Sequence, residues 1–276
     1  MNKFTKLFTL AAAAILSVGA LTSCGGDSDT ITVISREEGS GTRGAFEELF
    51  EIEKTRDDAE VYNSTSVVLS SVAGDKNAIG YVSLGSLKDT VKALEIDGVA
   101  ATGENVKNGT YKITRSFNIA TKADASELAK DFIAYIMSAE GQAVIEDNGY
   151  ISGGNSGAYA GAKPAGTLKI SGSSSISPLM EKLVEAYQKI NTAADIELQQ
   201  SDSSTGINDV AEGRSDIGMA SRELKDSELQ QGLTPTVICT DGVAVIVSKD
   251  NLVNGLTSEQ IKKIYVGEIS AWSEIN

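Results

Sequence analysis

The sequence predicts an α/β fold built on a mostly parallel sheet, and three observations carry that expectation. Short apolar runs alternate with segments of helical spacing along most of the chain. Three of these runs break into a serine- and glycine-rich loop before their helix: ITVIS-REEGSGT-RGAFEELF, TLKIS-GSSSIS-PLMEKLVEAY and IELQQ-SDSSTG-INDVAEG. A hydrophobic content of 41% with only three prolines excludes disorder and suits a packed core.

Residues 31–35 have β-type composition, and Ala45, Phe46, Leu49 and Phe50 repeat at helical spacing beyond the EEGSGT loop. Val67, Val68 and Val72 mark a second helix, which stops at Ala73-Gly74-Asp75. Residues 78–84 are expected as a buried strand, 91–94 with a turn at Asp97-Gly98 as a short ribbon, and 111–121 as an alternating strand. The longest helical stretch is expected over 127–137 and 142–146, with Leu128, Phe132, Tyr135 and Ile136 on one face. Residues 153–166, GGNSGAYAGAKPAG, read as a linker that spans roughly 20 Å as a flexible coil.

Beyond it, strands at 167–171, 195–199 and 216–220 alternate with helices over 178–190 and 207–212. Ser177 is placed as N-cap ahead of Pro178. Residues 242–248 are continuously apolar, the pattern of a strand buried on both faces, and Cys239 reads as a small core side chain. Thr257-Ser258-Glu259-Gln260 has capping-box spacing and opens a helix containing Ile261 and Ile264. In such sheets ligands bind beyond the carboxyl ends of the strands, which is where all three serine loops lie.

The first turn of a helix leaves backbone N–H groups without partners and carries the positive end of the helix dipole. Serine and glycine there let a tetrahedral oxyanion rest on the main chain. A single such loop also makes an ordinary turn or N-cap; three on one chain, one beside Arg36, point to a shared anion site.

Charge limits how that site can work. The net charge is −14, and removal of Lys3 and Lys6 with an N-terminal signal would leave 22 basic against 38 acidic residues, or −16. So acidic a surface argues against nucleic-acid binding and repels anions at long range. Capture must therefore come from short, desolvated hydrogen bonds.

Catalysis is not expected. The chain has no histidine, no cluster of acids and cysteines at metal-site spacing, and no P-loop lysine after GSGT. No cofactor is implied.

At the N-terminus, Lys3 and Lys6 precede an apolar stretch over 7–21, and Leu21-Thr22-Ser23-Cys24 resembles a bacterial lipobox. The expectation is a signal peptide over 1–23, lipidation of Cys24 and a polar tether over 24–30, holding the protein at the extracytoplasmic face of the membrane. The alternative is a plain secretory signal with an incidental cysteine.

ISREEGSGTR, GSSSISP, SDSSTG, DIGMASREL, TDGVAVIV, LTSEQIKKIYVGEISAW and NAIGYVSL together resemble the phosphate-binding protein of bacterial phosphate ABC transporters. That resemblance spans nearly all of 31–276. It implies a two-domain, periplasmic-binding-protein-like (type II, Venus flytrap) fold, inorganic phosphate as ligand, permease subunits as partners and a monomeric state. The segment order is rotated relative to the family, as in a circular permutation whose new ends fall between Asn276 and Ile31 and whose old ends meet in the 153–166 linker. With hinge crossings near Thr110 and Ser248, one domain would run over 111–248 and the other would combine 31–110 with 249–276.

Carried over by position, the resemblance assigns phosphate contacts to Arg36, Ser40, Gly41, Thr42, Ser175, the backbone of Ile176, Ser203 and Ser221, with Glu38 orienting Arg36. A surface pair of Arg36 with Glu37 or Glu47 is the competing reading. The family's aspartate after the strand like DIGMAS is replaced by Ser221 and Arg222, which leaves phosphate-over-sulfate selectivity open. Arg222 either adds a cation to the site or pairs with Glu223 or Asp226. A sensor or scavenger not coupled to a transporter, or a receptor for another tetrahedral oxyanion, remains the alternative function.

Overall fold

The computed structural model describes residues 29–275. The expected signal segment, Cys24 and most of the tether lie outside the described residues. The chain opens with β1 (Thr32–Arg36), α1 (Gly41–Leu49), β2 (Glu60–Tyr62), α2 (Thr65–Gly74), β3 (Ala78–Ser83), β4 (Val91–Ala93), β5 (Glu95–Ile96) and α3 (Gly103–Lys107). There follow β6 (Thr114–Lys122), α4 (Glu127–Ile136), α5 (Ala139–Asp147), β7 (Ile151–Ser152), β8 (Gly166–Ser173), α6 (Ser177–Ile190), β9 (Ala194–Ser201), α7 (Ser203–Ala211) and β10 (Ile217–Ala220). The last elements are α8 (Asp226–Leu229), β11 (Leu233–Ser248), β12 (Gly255–Leu256) and α9 (Ser258–Val266).

One sheet runs in the order β2-β1-β3-β11-β6-β10-β8-β9, with β4 and β7 also paired to β11. It is mixed, which corrects the mostly parallel expectation. The outer strands of each lobe are parallel, β1 with β2 and β3, and β8 with β9 and β10. The central strands β11 and β6 run antiparallel to each other and to their other neighbours in that order.

The antiparallel centre exists because β11 serves both lobes. Its first part pairs with β6 from Leu233 opposite Lys122 to Gly242 opposite Thr114. Its last part pairs with β3 from Val243 opposite Ser83 to Val247 opposite Ile79. The apolar run at 242–248 is buried throughout, as its composition requires, but it is only the second half of a 16-residue strand.

Each lobe has cores on both faces of its part of the sheet. In one, Phe46, Tyr81, Val243 and Tyr265 pack on one face, and Ile34, Val68, Val72 and Ile246 on the other. In the other, Phe132, Leu168, Met180 and Tyr187 oppose Ile207, Val210 and Leu233. Cys239 lies in the first of these second-lobe cores, fully buried, and burial pushes its thiol well above the usual value.

Several local expectations are corrected. β4 pairs with β11 and β5 with β12, so 91–94 is not one arm of a ribbon, though the expected turn at Asp97-Gly98 is present, with Ile96 and Val99 exchanging both backbone hydrogen bonds. The segments expected at 127–137 and 142–146 are two helices, the second starting earlier, at Ala139, because Ser138 turns the chain: its Oγ donates to Tyr135 O at 2.7 Å and accepts from Gly141 N as N-cap of α5. The longest helix among the described residues is α6, and Ser177 is its first residue instead of its N-cap, which is Ile176.

The 153–166 segment is pinned, not a free coil. Asp131 of α4 accepts from Tyr159 Oη at 2.5 Å and Ala162 N at 2.8 Å, while Glu140 accepts from Tyr159 N at 2.8 Å. At the other end of the molecule Ile31 N donates to Ser270 O at 2.8 Å, and Trp272 N to Asp29 O at 3.0 Å. The two ends of the described chain are therefore paired side by side.

Candidate functional site

The starts of α1, α2 and α7 and the loop entering α6 converge between the lobes. Each follows a strand end, so the first-turn N–H groups and their serines point into one space.

β1 delivers Arg36, and Tyr81 of β3 braces it. The Tyr81 hydroxyl shares a 2.8 Å hydrogen bond with Ser35 Oγ and accepts from Arg36 N at 3.2 Å. The ring stacks on Phe46 of α1, with centroids 3.9 Å apart. Burial pushes the phenol up to about 12, against the Ser35 bond, so at neutral pH it remains a protonated strut.

Arg36 is 2% exposed. Its Nε and Nη2 donate to the two Glu37 oxygens at 2.8 Å each. Nη2 also reaches Ser174 Oγ at 3.0 Å, and Nη1 reaches Thr65 Oγ1 at 3.4 Å. The guanidinium is thus gripped from one side and presented to hydroxyls of both lobes on the other.

Those hydroxyls form a connected set. Thr42 Oγ1 and Ser175 Oγ share a 2.7 Å bond, Thr65 Oγ1 and Ser175 Oγ one of 3.1 Å, and Thr65 Oγ1 and Ser174 Oγ one of 3.3 Å. Ser203 Oγ accepts from Ser221 N at 3.1 Å, and the two hydroxyls lie 3.4 Å apart. A Cβ at Gly41 would collide with both hydroxyls, so only glycine lets α1 approach this wall.

At the cleft mouth Gly39, with φ 88°, turns its carbonyl to accept from Ser204 N at 3.1 Å and Ser204 Oγ at 3.2 Å. Arg222 Nη2 donates to the same Ser204 Oγ at 3.0 Å, and its two Nη atoms hold Glu228 at 2.9 and 2.8 Å. Burial pushes the Glu228 carboxyl up, but the Arg222 bond, the Lys225 N–H and the charges of both residues together offset it and hold it below the usual range. Glu38, Ser40, Arg43, Ser204, Arg222 and Lys225 are among the residues lining a cavity of about 250 Å³ here.

Arg36, Gly41, Thr42, Ser175, Ser203 and Ser221 are therefore brought together, with Ser40 capping α1 at its edge through Arg43 N. Three expectations fare differently. The carboxylate that orients Arg36 is Glu37, the adjacent residue, while Glu38 faces the mouth. Ile176 N is turned to Ser173 O at 3.0 Å. Arg222 takes the carboxylate of Glu228, not that of Glu223 or Asp226, because α8 carries Glu228 back over the loop; of Glu223 it meets only the backbone carbonyl, at 2.9 Å. Asp216 accepts from Lys169 N at 2.8 Å, at the far end of its strand.

Sequence reasoning missed Thr65, Ser174, Ser204 and Arg43. Asn63-Ser64-Thr65-Ser66, from the end of β2 into the first turn of α2, marks a fourth strand–loop–helix unit; its strand is three residues long, too short for a periodicity signal. Arg43 donates to the Arg36 carbonyl at 3.1 Å and to Glu47 at 2.8 Å, fastening α1 to the strand end.

Fold and site together define a class: a two-lobed α/β solute-binding protein whose cleft is lined by hydroxyl and guanidinium donors. The model of the PBP superfamily domain matches residues 7–140 and 157–275. A phosphate-binding protein PstS 2 of Streptococcus agalactiae serotype V is 50% identical over 100% of both chains. A solved phosphate-binding protein of a phosphate ABC transporter from Streptococcus pneumoniae superposes with a TM-score of 0.71 at 44% identity, covering 90% of this chain and 100% of that one. The phosphate-binding protein PstS of Bacillus subtilis aligns at 36% identity over 46% of this chain and 43% of its own length. The chain belongs to the PBP superfamily and, within it, to the family of these phosphate-binding proteins.

Proposed function

We propose that the protein captures inorganic phosphate outside the cytoplasm and hands it to the permease of an ABC importer, acting as a monomeric binding protein and not as an enzyme. The observation that carries this reading is the junction of Arg36 with Thr42, Thr65, Ser174 and Ser175, where one buried cation meets hydroxyls from both lobes. Phosphate oxygens would replace the hydroxyl–hydroxyl bonds one for one. A hydroxyl both donates and accepts, so the protonated oxygen of HPO₄²⁻ finds an acceptor at Ser203 or Ser221 without an aspartate. Sulfate can be met by the same hydroxyls acting as donors, so this serine wall does not reject it as an acceptor-only aspartate would.

Binding is read as closure of the lobes about the crossings at 113–114 and 242–243, close to the expected 110 and 248. The domains are then 114–242 and 31–113 with 243–276, shifted by a few residues from the expected 111–248 and 31–110 with 249–276. Lipidation at Cys24 and circular permutation belong to the same reading. Permutation is supported by the side-by-side ends and by the contrast between end-to-end alignment with the streptococcal relative and alignment of less than half the chain with the Bacillus one.

Titration calorimetry of residues 24–276 with phosphate, arsenate, sulfate and molybdate tests the function. Phosphate should bind; a sulfate affinity equal to that of phosphate would favour a receptor for tetrahedral oxyanions in general, and no binding of any oxyanion would sink the class. Arg36→Ala should weaken phosphate binding more than tenfold, or about 1.4 kcal/mol.

A further inference from the structure

We infer that Arg115, held by Asp241, is a positioning residue that sets the Ser221 wall of the anion cage and couples it to the opposite lobe. This rests on the phosphate reading of that cage. Arg115 and Asp241 are direct cross-strand partners one rung before β11 leaves β6 for β3. Both are buried, at 7% and 2% exposure.

The guanidinium donates from Nη2 and Nε to Asp241 Oδ2 at 3.0 and 3.2 Å, and from Nη1 to the Ser221 carbonyl at 3.3 Å. It lies 5.1 Å from the Phe117 ring centroid, which fixes its plane. The other Asp241 oxygen accepts from Ser83 Oγ at 2.9 Å, at the end of β3 in the other lobe, and from Gly85 N at 3.5 Å, just past it. An unbroken chain of contacts therefore runs from Ser221 through Arg115 and Asp241 to Ser83.

A buried ion pair usually does no better for stability than apolar residues of the same shape, so stability alone does not account for this one. Its geometry does. With the Ser221 carbonyl drawn toward Arg115, the N–H and hydroxyl of Ser221 are left facing Ser203 and α1, where the anion is read to sit. Closure that shifts Ser83 against Ser221 must move through this pair.

The test uses the double variant R115M/D241N, which removes both charges and retains an acceptor for Ser83, compared with the wild type by phosphate calorimetry, stopped-flow dissociation, thermal melting and small-angle scattering. The expected result is a folded protein melting within a few degrees of wild type that binds phosphate at least tenfold more weakly, with a faster off-rate and a smaller compaction on ligand addition. Wild-type affinity and compaction in the double variant would overturn the inference while leaving the phosphate reading intact. Failure of the wild type itself to bind phosphate would overturn both. Should the double variant not fold, S83A takes its place: it cuts the link to the other lobe with the ion pair kept, and an unchanged off-rate would count against the coupling.

Discussion

Arg36 shows how burial separates two readings that composition leaves level. It does pair with Glu37, yet at 2% exposure it is no surface pair. The carboxylate takes one edge of the guanidinium and leaves the other to Ser174 and Thr65. Thr65→Val keeps shape and removes one hydroxyl that both donates and accepts. Phosphate affinity should fall about fivefold, near 1 kcal/mol, with melting little changed; calorimetry beside a thermal scan checks both halves. Contacts of this kind were legible where a motif was long, as at REEGSGT, and illegible where partners come from distant sequence. The cross-lobe bonds between Thr42 and Ser175 or Gly39 and Ser204 join residues more than 130 positions apart, and no local pattern records them.

At the level of elements, apolar periodicity located the helices and buried strands well because burial itself writes that signal. The starts of α5 at Ala139 and of α6 at Ser177 escaped it, since a helix start depends on local capping bonds and not on the apolar period. The 153–166 segment has the composition of a linker, but Asp131 turns it into a fixed strap through Tyr159 and Ala162, with Tyr187 donating to the same carboxylate at 2.6 Å. Burial pushes the Asp131 carboxyl up, and these donors more than offset it, holding it below the usual range. A depressed folded pKa gives stability that is full above the unfolded pKa near 4 and is lost as pH falls through the folded value. Asp131→Asn should therefore cost about 2–3 kcal/mol at neutral pH and flatten the loss of stability of the wild type below about pH 4, as denaturant melts across pH would show.

For the molecule as a whole, chain order and spatial order are separable. Residues 29–31 already lie against 270–273, so a short bridge between them with new ends opened in 153–161 restores the other segment order. Such a re-permuted chain should bind phosphate with an affinity within about twofold of the original, because no cage residue changes neighbours. A loss of binding by calorimetry would show that the strap and the paired ends contribute more than connection.

That same variant exposes a consequence of β11. The strand that completes the β1–β3 sheet arrives about 160 residues after β3, Val243 against Ser83, whereas the lobe of β6 to β10 closes over shorter separations, Gly218 against Ala120 and Ile217 against Ile170. In a chain emerging N-terminus first, the segment made earliest must wait for one of the last strands before its hydrophobic faces are covered. Translocation order and folding order are thus opposed in this protein, and its first third is the part with the longest exposure to chaperones and proteases. Moving the ends into the strap brings β11 ahead of its partner and reverses that exposure without altering the native contacts.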